Sequence, residues 1–425
     1  MKKIILILLA LIAVRAYADD TATLQALITA GNTTLPAGHA AYHVTGLILS
    51  HNLNANGDTI YCTSSTGDEF SMSTAGVKLS NGIFIGPTDA INTSGVSGVL
   101  VNANSDTVTN CVIKTFPNYG IVMTGGNSPV FTGNTISDTG FIGQFVDPSA
   151  TTVGGIISGN TYDRSMLSAS TITQPDLIVQ TTSSSYKTRG WTISNNTFKM
   201  PSNPTDITAA CMELKYAPKS TVSGSTCQGG SIGVSIVGSD TVKTSGGTYT
   251  GQNLEGVEYA GSNYGNLTNL SISSQSKYGL LFDGSSPASH DDTVYNASIT
   301  SCATYPVLCA PTVASIFFLS DKFTTTSAQD AVYLHQATNI CFCACQFVGG
   351  SVGTNAVLLD NSTGTVDMCC GSVSGFTSHV FFVYASTAIT INNILMQNIN
   401  LSGTPTGLGQ NLSGGATLGS NIEVY

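Results

Sequence analysis

Two glutamates carry the clearest chemical signal in a chain that has few charged residues. Only 9% of the 425 residues are Asp, Glu, Lys or Arg, yet Glu213 and Glu258 lie in similar segments of alternating apolar and polar residues. If those segments stack as parallel strands, the two glutamates stand two coils, about 10 Å, apart at the backbone. This distance is close to the roughly 6.5 to 9.5 Å between the carboxyl groups of inverting glycosidases. The pair is therefore a candidate general acid and general base for hydrolysis.

The pairing of the glutamates depends on a register that the alternation suggests. Four segments align with their apolar residues inward, at 212–214, 234–236, 257–259 and 280–282. Because side chains of a strand alternate between its two faces, the alignment creates two outward columns. The predicted columns are Glu213, Ser235, Glu258 and Leu281, and Lys215, Val237, Ala260 and Asp283. The predicted catalytic residues are Glu213, Glu258 and Asp283, and the predicted substrate-binding residues are Lys215, Ser235 and Tyr333.

A purely structural explanation of the same residues is also open. Outward residues of a strand are normally solvated, and Glu213 with Lys215 can form a surface ion pair worth well under about 1 kcal/mol. Carboxylate geometry alone is often met by accident. Replacing either glutamate by Gln distinguishes the two interpretations, because only catalytic residues are needed for cleavage.

Further along the chain the first outward column turns apolar. The residues expected in it are Leu281, Tyr333, Leu358 and Phe381. A flat exposed apolar stripe is unusual on a soluble monomer, so we expect a loop, a bound sugar or a neighbouring subunit to cover it. A homo-trimer is one such arrangement. His335 and Asp360 fall one coil apart in the adjacent column and are expected to pair, which is more often a structural role than a catalytic one.

Internal repetition predicts the architecture that creates these columns. A six-residue pattern recurs from VTNCVI at Val108 to INNILM at Ile391, mostly at intervals of 20 to 29 residues. A coil of that length returns the chain to the same face one step, about 4.8 Å, further along an axis. Asn and Gly at the third and fourth positions suit turns, and stacked Asn side chains can bond from coil to coil. Helical repeats are disfavoured because long amphipathic stretches are lacking after Ile28.

The opening of the chain and the repeats together resemble the pectate-lyase-like β-helix superfamily. The opening motifs are LQALI from Leu24, TTLPAG from Thr33, YHVTG from Tyr42 and LILS from Leu47. The resemblance implies an all-β, single-stranded right-handed parallel β-helix of roughly 12 or more coils, closed by a short N-terminal capping helix. The expected divisions are a signal peptide at 1–18, the capping helix and first coil at 19–60, and the parallel β-helix at 61–425.

The superfamily includes polysaccharide lyases, polygalacturonases, epimerases, viral tailspikes and inactive adhesins, so the resemblance does not specify a reaction. Of the polygalacturonase motifs, only Asp291-Asp292 with His290 in front has a counterpart. Pectate lyases use Arg or Lys beside calcium, whereas Arg164 and Arg189 lie outside acidic clusters. No cofactor or metal is expected; calcium stays open as an alternative, but no residue pattern supports it.

The N-terminus has the pattern of a secretory signal peptide. Lys2 and Lys3 precede the apolar run 4–14, and small residues at Ala16 and Ala18 predict cleavage after Ala18. The run is well short of the roughly 20 apolar residues of a membrane span, and no later segment is long enough. We therefore expect a secreted, periplasmic or cell-surface protein.

Eleven cysteines follow the predicted cleavage site, where an oxidising compartment favours disulfides. Cys302 and Cys309 are placed to close a short loop, and Cys345 and Cys369 are expected to stack one coil apart within disulfide range. Structural roles are favoured over zinc binding because paired ligand spacings and histidine partners are missing.

Two functions follow as alternatives. One is a secreted carbohydrate-active protein, a glycoside hydrolase or polysaccharide lyase that acts on an extracellular polysaccharide. The other is a non-catalytic glycan-binding, adhesin-like or structural β-helix protein, while a virion tailspike is disfavoured by the signal peptide. A net charge of −10 without clusters of Lys or Arg argues against nucleic acid as a partner.

Overall fold

Short runs of alternating apolar and polar residues form strands that wind into a parallel β-helix of about 14 turns, as the computed structural model of the protein shows. The structure describes residues 19–39, 41–64, 67–88, 95–181, 188–284, 288–386, 390–402, 406–413 and 417–424. Strands one coil apart pair in parallel register, which confirms the predicted all-β parallel β-helix.

The strands form three walls around one core. The first wall is a 16-stranded sheet of Thr33–Thr34, Leu53–Asn54, Lys78–Ser80, Thr107–Thr109, Val130–Thr132, Ile156–Ser158, Thr192–Ser194, Thr221–Ser223, Lys243–Ser245, Asn266–Thr268, Thr293–Tyr295, Ala314–Leu319, Thr338–Cys343, Thr363–Cys369, Thr390–Gln397 and Thr417–Val424. The second wall consists of Tyr42–Val44, Thr59–Cys62, Ile83–Ile85, Val112–Lys114, Thr135–Ser137, Thr161–Asp163, Thr197–Lys199, Thr226–Gln228, Thr248–Thr250, Ser271–Ser273, Ser298–Cys302, Lys322–Thr325 and Asn400–Ser402. The third wall consists of Leu47–Leu49, Asp68–Met72, Ser97–Val101, Tyr119–Met123, Ile142–Val146, Leu177–Gln180, Ala210–Lys215, Ile232–Val237, Glu255–Ala260, Tyr278–Asp283, Tyr305–Cys309, Val332–His335 and Thr406–Leu412.

Two long strands, Gln346–Asp360 and Ser372–Ala385, belong to both the second and the third wall. Their register shifts between the two walls, which marks an irregularity in the ladder. A small two-stranded sheet of Thr152–Val153 and Thr188–Arg189 and a 3-10 turn at Ala169–Thr171 lie outside the walls. The third-wall parts of these strands keep a simple register, so the irregularity lies in the segment between the two walls.

The turn between the first and second walls follows the repeated sequence pattern. Its third position is left-handed, with φ of 53° at Asn110 and 54° at Asn195. The fourth position is buried, and there Asn134 Nδ2 donates to Asn160 Oδ1 at 3.0 Å, while Asn160 Nδ2 donates to Asn196 Oδ1 at 3.1 Å. Each Asn thus supplies a hydrogen-bond acceptor for the buried Asn amide of the preceding coil. A buried amide without such a partner would cost about 1–3 kcal/mol. The predicted turn positions and Asn stacking are confirmed.

One α-helix, Thr21–Ala30, precedes the first coils, and its Leu24 and Ile28 are buried in the core. The side chain of Gln25 pairs with the backbone of Ile48, accepting its N–H at 2.8 Å and donating to its carbonyl at 2.9 Å. These bonds satisfy peptide groups on the first strand of the third wall. That the helix closes the core as a cap stays a prediction.

The cysteines differ from the predicted pairings. Cys369 lies in register with Cys343, not with Cys345, so the predicted Cys345 and Cys369 stacking is wrong. Left-handed Ala344 (φ 55°) carries the chain into the turn, where the buried Cys345 thiol donates to the carbonyl of Phe318.

The one disulfide among the described residues joins Cys211 and Cys227. Cys302 and Cys309 are both buried with free thiols, so the predicted short loop is not closed by a disulfide. The signal-peptide prediction falls on residues outside the described ranges. In those ranges, no helix has the length and hydropathy needed to cross a membrane.

Candidate functional site

The outward columns of the third wall have the predicted register. Glu213 pairs with Ser235, and Ser235 pairs with Glu258, so the two glutamates stand two coils apart. Glu258 pairs in turn with Leu281. The parallel column is formed by Lys215, Val237, Ala260 and Asp283. The structure therefore brings Glu213, Ser235 and Glu258 together.

Ser235 connects the two glutamates. Its Oγ donates a hydrogen bond of 2.7 Å to Glu258 Oε2, and its side chain is buried between them. Burial raises the pKa of Glu258, the Ser235 hydrogen bond opposes that shift, and the charge of Asp283 adds to it. The hydroxyl thus stabilises the ionised form of Glu258, as a general base requires.

Glu213 lies in a different environment on the other side of Ser235. Burial raises its pKa, Lys215 opposes that shift, and the charge of Glu258 adds to it. A half-buried carboxyl with a raised pKa that has a second carboxylate nearby is suited to hold a proton. The two glutamates therefore offer one carboxyl for each half of an acid–base pair.

A pocket of about 220 Å³ opens over this pair. Its walls come from the third wall and from a loop just before strand Ala210–Lys215, where Thr208 Oγ1 donates to Asp206 Oδ1 at 2.7 Å. The lining residues are Ile207, Thr208, Ala210, Glu213, Ile232, Ser235, Val237 and Glu258. Glu213 and Glu258 thus line a space that small molecules or part of a polymer can enter.

Sequence reasoning missed a third glutamate beside the pair. Glu255 is only 5% exposed, and burial raises its pKa to about 7, helped by the charge of Glu258. It lies three residues before Glu258. At Gly256, which follows it, an added Cβ would approach Ile272 Cγ2 to 2.4 Å. Alternation assigned this residue to no column, because it precedes Gly256, the small residue that opens the GVEY segment.

The other predicted site residues are more distant. Lys215 and Asp283 lie three coils apart in their column, about 14 Å at the backbone. Their charges therefore influence the two glutamates from opposite sides. Tyr333 also lies three coils beyond Glu258, in register with Leu308. The structure therefore separates Tyr333 from the glutamate pocket.

Tyr333 belongs to a second polar cluster with His335 and Asp360. His335 Nδ1 lies 2.9 Å from Asp360 Oδ2, which confirms the predicted pairing, and the Tyr333 hydroxyl donates to the same oxygen. Burial and the Asp360 contact both raise the pKa of Tyr333, so its hydroxyl stays protonated.

The apolar stripe beside this cluster is half-buried, and one predicted member is wrong. Phe381 faces the core with no exposure, and Phe382 takes the outward place in register with Leu358. The tyrosines at the start of these strands form a row of their own. Tyr278 and Tyr305 stack at 6.2 Å with an angle of 2° between ring planes.

The Asp291-Asp292 motif does not form a paired site. Asp292 is buried, its Oδ1 accepts the Gly265 N–H, and burial raises its pKa to about 8. Asp291 is in the left-handed region with φ of 58° and bonds to His290 Nδ1. The two carboxyl groups thus have different hydrogen-bond partners, which excludes a shared catalytic role.

Part of the β-helix matches the model of a known family. A family model described as "Periplasmic copper-binding protein (NosD)" matches residues 153–334. The matched segment contains successive coils of all three walls with parallel register. The chain is a right-handed parallel β-helix protein. No curated protein matches its sequence.

Several solved structures are similar to this β-helix in shape. The A-module of the mannuronan C-5 epimerase AlgE6 of Azotobacter vinelandii has 10% identity and a TM-score of 0.45, with 94% of this chain and 95% of that chain covered. A tailspike protein of E. coli bacteriophage HK620 has 12% identity and a TM-score of 0.49, with coverage of 90% and 76%. The Streptococcus pneumoniae surface protein and adhesin PfbA has 11% identity and a TM-score of 0.40, with coverage of 92% and 97%. The likeness concerns the fold alone.

Copper appears in the description of the matched family, but the residues of the matched segment do not fit a copper ion with three or more protein ligands. In the described part of 153–334, no three His, Cys, Asp or Glu side chains are placed to share a metal. Two of its cysteines form the disulfide, and Cys302 and Cys309 are buried. No chemical step on the third wall is therefore derived through copper.

Proposed function

We propose that the protein is a carbohydrate-active β-helix that hydrolyses a glycosidic bond of an extracellular polysaccharide at the third wall. The observation that carries this proposal is the pair Glu213 and Glu258, two coils apart, with raised pKa values and a shared pocket. A long wall of parallel strands also offers a polymer an extended surface on either side of the pocket.

The environments of the two glutamates suggest their roles. Glu258 accepts the Ser235 hydrogen bond, which favours its ionised form, so it acts as the general base that activates water. Glu213 has a raised pKa and donates its proton to the leaving oxygen as the general acid. A spacing of two coils leaves room for water between the carboxyl groups, so inversion of the anomeric configuration is expected. Asp283 and Lys215 adjust the charge around the pair.

The experiment is incubation of the purified protein with a panel of polysaccharides. Reducing ends report hydrolysis, and absorbance of unsaturated products reports elimination. Glu213→Gln and Glu258→Gln are expected to abolish reducing-end release. Asp163→Asn is the matched control, because Asp163 faces outward on the second wall and pairs there with Lys199. Full activity of both glutamate variants on a cleaved substrate would contradict the assignment.

Non-catalytic glycan binding is the second candidate, favoured by the half-buried stripe and the Tyr333, His335 and Asp360 cluster. Binding without product in the same panel supports this alternative. A homo-trimer that covers the stripe stays a prediction, which light scattering of the purified protein tests. We also propose export, with cleavage near Ala18, in agreement with the periplasmic description of the matched family. Mass spectrometry of the mature N-terminus tests it.

A further inference from the structure

A row of three tyrosines runs along the third wall from the glutamate pocket to the Tyr333 cluster. Tyr278 and Tyr305 pair in register on consecutive coils, and the centroids of the Tyr305 and Tyr333 rings lie 4.9 Å apart. Each of the three side chains is half-buried, so part of each ring is open to solvent. The row spans two coil steps, about 10 Å at the backbone, which is enough to contact more than one sugar ring.

The row begins one coil beyond the glutamates of the pocket. Glu255 pairs in register with Tyr278, and Glu258 on the same strand pairs with Leu281. Glu255 is 5% exposed, and among the described residues none donates a hydrogen bond to its carboxyl group. A buried polar group without a partner is costly, so a ligand hydroxyl beside Tyr278 would be a favourable partner for this carboxyl group.

The surface around the row carries mainly negative charge. On the described strands from Ala210–Lys215 to Gln346–Asp360, the two outward columns contain four carboxyl groups, those of Glu213, Glu258, Asp283 and Asp360. Lys215 is the one lysine in these columns, and Lys277 is exposed just before Tyr278. An ionised carboxyl group accepts hydrogen bonds but donates none. The surface therefore suits a ligand that is rich in hydroxyl donors, and it repels a ligand that brings further carboxylates.

We propose that the polymer bound along the third wall is an uncharged polysaccharide, and that Tyr278, Tyr305 and Tyr333 form the platform on which its sugar rings stack. This inference rests on the proposed function, because the platform begins beside the glutamate pocket. The C–H groups of a sugar ring pack against an aromatic face, while the tyrosine hydroxyl groups supply polar contacts at its edge. Polymers of uronic acids carry a carboxylate on each sugar, and repulsion by the wall disfavours them.

An acidic surface can hold an acidic polymer through a bridging metal ion. Among the described residues, however, no three His, Cys, Asp or Glu side chains are grouped to hold such an ion. Added calcium is therefore not expected to bring uronic acid polymers onto the wall.

The test is affinity electrophoresis of the full-length protein in gels that contain a soluble polysaccharide. The Glu213→Gln/Glu258→Gln double variant is used beside wild type, so that binding is measured without cleavage. The neutral probes are dextran, mixed-linkage β-glucan, galactomannan and arabinan, and the acidic probes are alginate and polygalacturonate, each with and without added calcium. At least one neutral polymer is expected to retard both proteins, with an affinity that changes less than about twofold between about 50 and 500 mM NaCl. The acidic polymers are expected to retard neither.

Tyrosine variants test the platform itself. Tyr278→Ala and Tyr305→Ala are each expected to weaken binding of the neutral polymer about 10-fold or more, whereas Tyr278→Phe keeps the ring and most of the affinity. Tyr295→Ala is the matched control, because Tyr295 is an exposed tyrosine on the first wall. Thermal unfolding of each variant shows that it is folded.

Three results would overturn the inference. One is tighter binding of alginate or polygalacturonate than of every neutral polymer, and another is no binding of any neutral polymer. The third is equal affinity of wild type and a folded Tyr278→Ala/Tyr305→Ala variant. The proposed hydrolysis is judged separately, by reducing ends. A neutral polymer that binds wild type but is not cleaved contradicts hydrolysis and leaves this inference standing, whereas cleavage of a uronic acid polymer contradicts this inference alone.

Discussion

The glutamate pocket and the Tyr333 cluster occupy the same outward columns of the third wall, yet they differ in how their polar groups are satisfied. In the pocket, Ser235 bonds only one of two half-buried carboxyls, and the pKa values of both are raised. In the cluster, Asp360 accepts from Tyr333 and pairs with His335, so its charge has partners. A raised pKa on an incompletely paired carboxyl is typical of a reactive site, whereas a saturated carboxylate is typical of structure or ligand positioning.

The largest difference in turnover between the two regions is expected when an ionisable carboxyl group is removed from the glutamate pocket. We expect Glu258→Gln to lower the turnover number about 100-fold or more, the usual contribution of a general base. Unfolding by denaturant is expected to change little, because the amide keeps the Ser235 contact. Asp360→Asn is the counterpart in the cluster and is expected to retain most turnover. Equal loss in both variants would remove the distinction between the two regions.

The free energy of unfolding, in contrast, is expected to depend more on the Tyr333 cluster than on the glutamate pocket. Asp360→Ala leaves the Tyr333 hydroxyl and His335 Nδ1 without their acceptor, and hydrogen bonds to charged groups contribute about 1.5–3 kcal/mol. Because the cluster is half-buried, water replaces part of this loss, and we expect a decrease of about 1–2 kcal/mol in the free energy of unfolding. Denaturant titration measures it. A variant as stable as wild type would show that the cluster does not stabilise the fold.

The pH dependence of stability is a finer test of the pocket. The pKa of Glu255 is raised from 4.5 to about 7 by burial. The folded state therefore holds this proton more tightly than the unfolded state, and its contribution is complete below about 4.5 and is lost as pH rises through about 7. Glu255→Gln is expected to reduce the loss of stability between pH 5 and pH 8. An unchanged slope, measured by thermal unfolding at both pH values, would place the titrating group elsewhere.

The smallest expected effect concerns Ser235. Ser235→Ala removes the 2.7 Å hydrogen bond that opposes the raised pKa of Glu258. The pKa of this base therefore rises, and the acidic limb of the pH–rate profile moves toward higher pH, by about one unit or less. Thr208→Ala, on the loop side of the pocket, is the control that leaves the limb in place. An acidic limb that stays in place would show that the pKa of Glu258 does not set it.

Much of the fold and part of the site could be predicted because stacking is a local rule repeated many times. The columns of Glu213 and Lys215 followed from alternation alone, since equal coils return equivalent residues to one face. The Asn134 ladder followed from turn chemistry in the same way. Prediction failed where the coil changed. Phe381 and Phe382 are adjacent and identical, so alternation could not tell which of them faces the core. Before Cys345, the left-handed backbone of Ala344 turns the Cys345 side chain into the core.

The sequence by itself therefore determined the coil period, the turn positions and the residues that share a column, because these depend on side-chain alternation and backbone preferences within each repeat. Only the tertiary structure decided which column members interact. The Ser235 bond to Glu258, the burial of Glu255 and the Cys211–Cys227 disulfide depend on rotamers, bulges and loops. Such contacts differ by fractions of a coil step, a distance that no repeat pattern specifies.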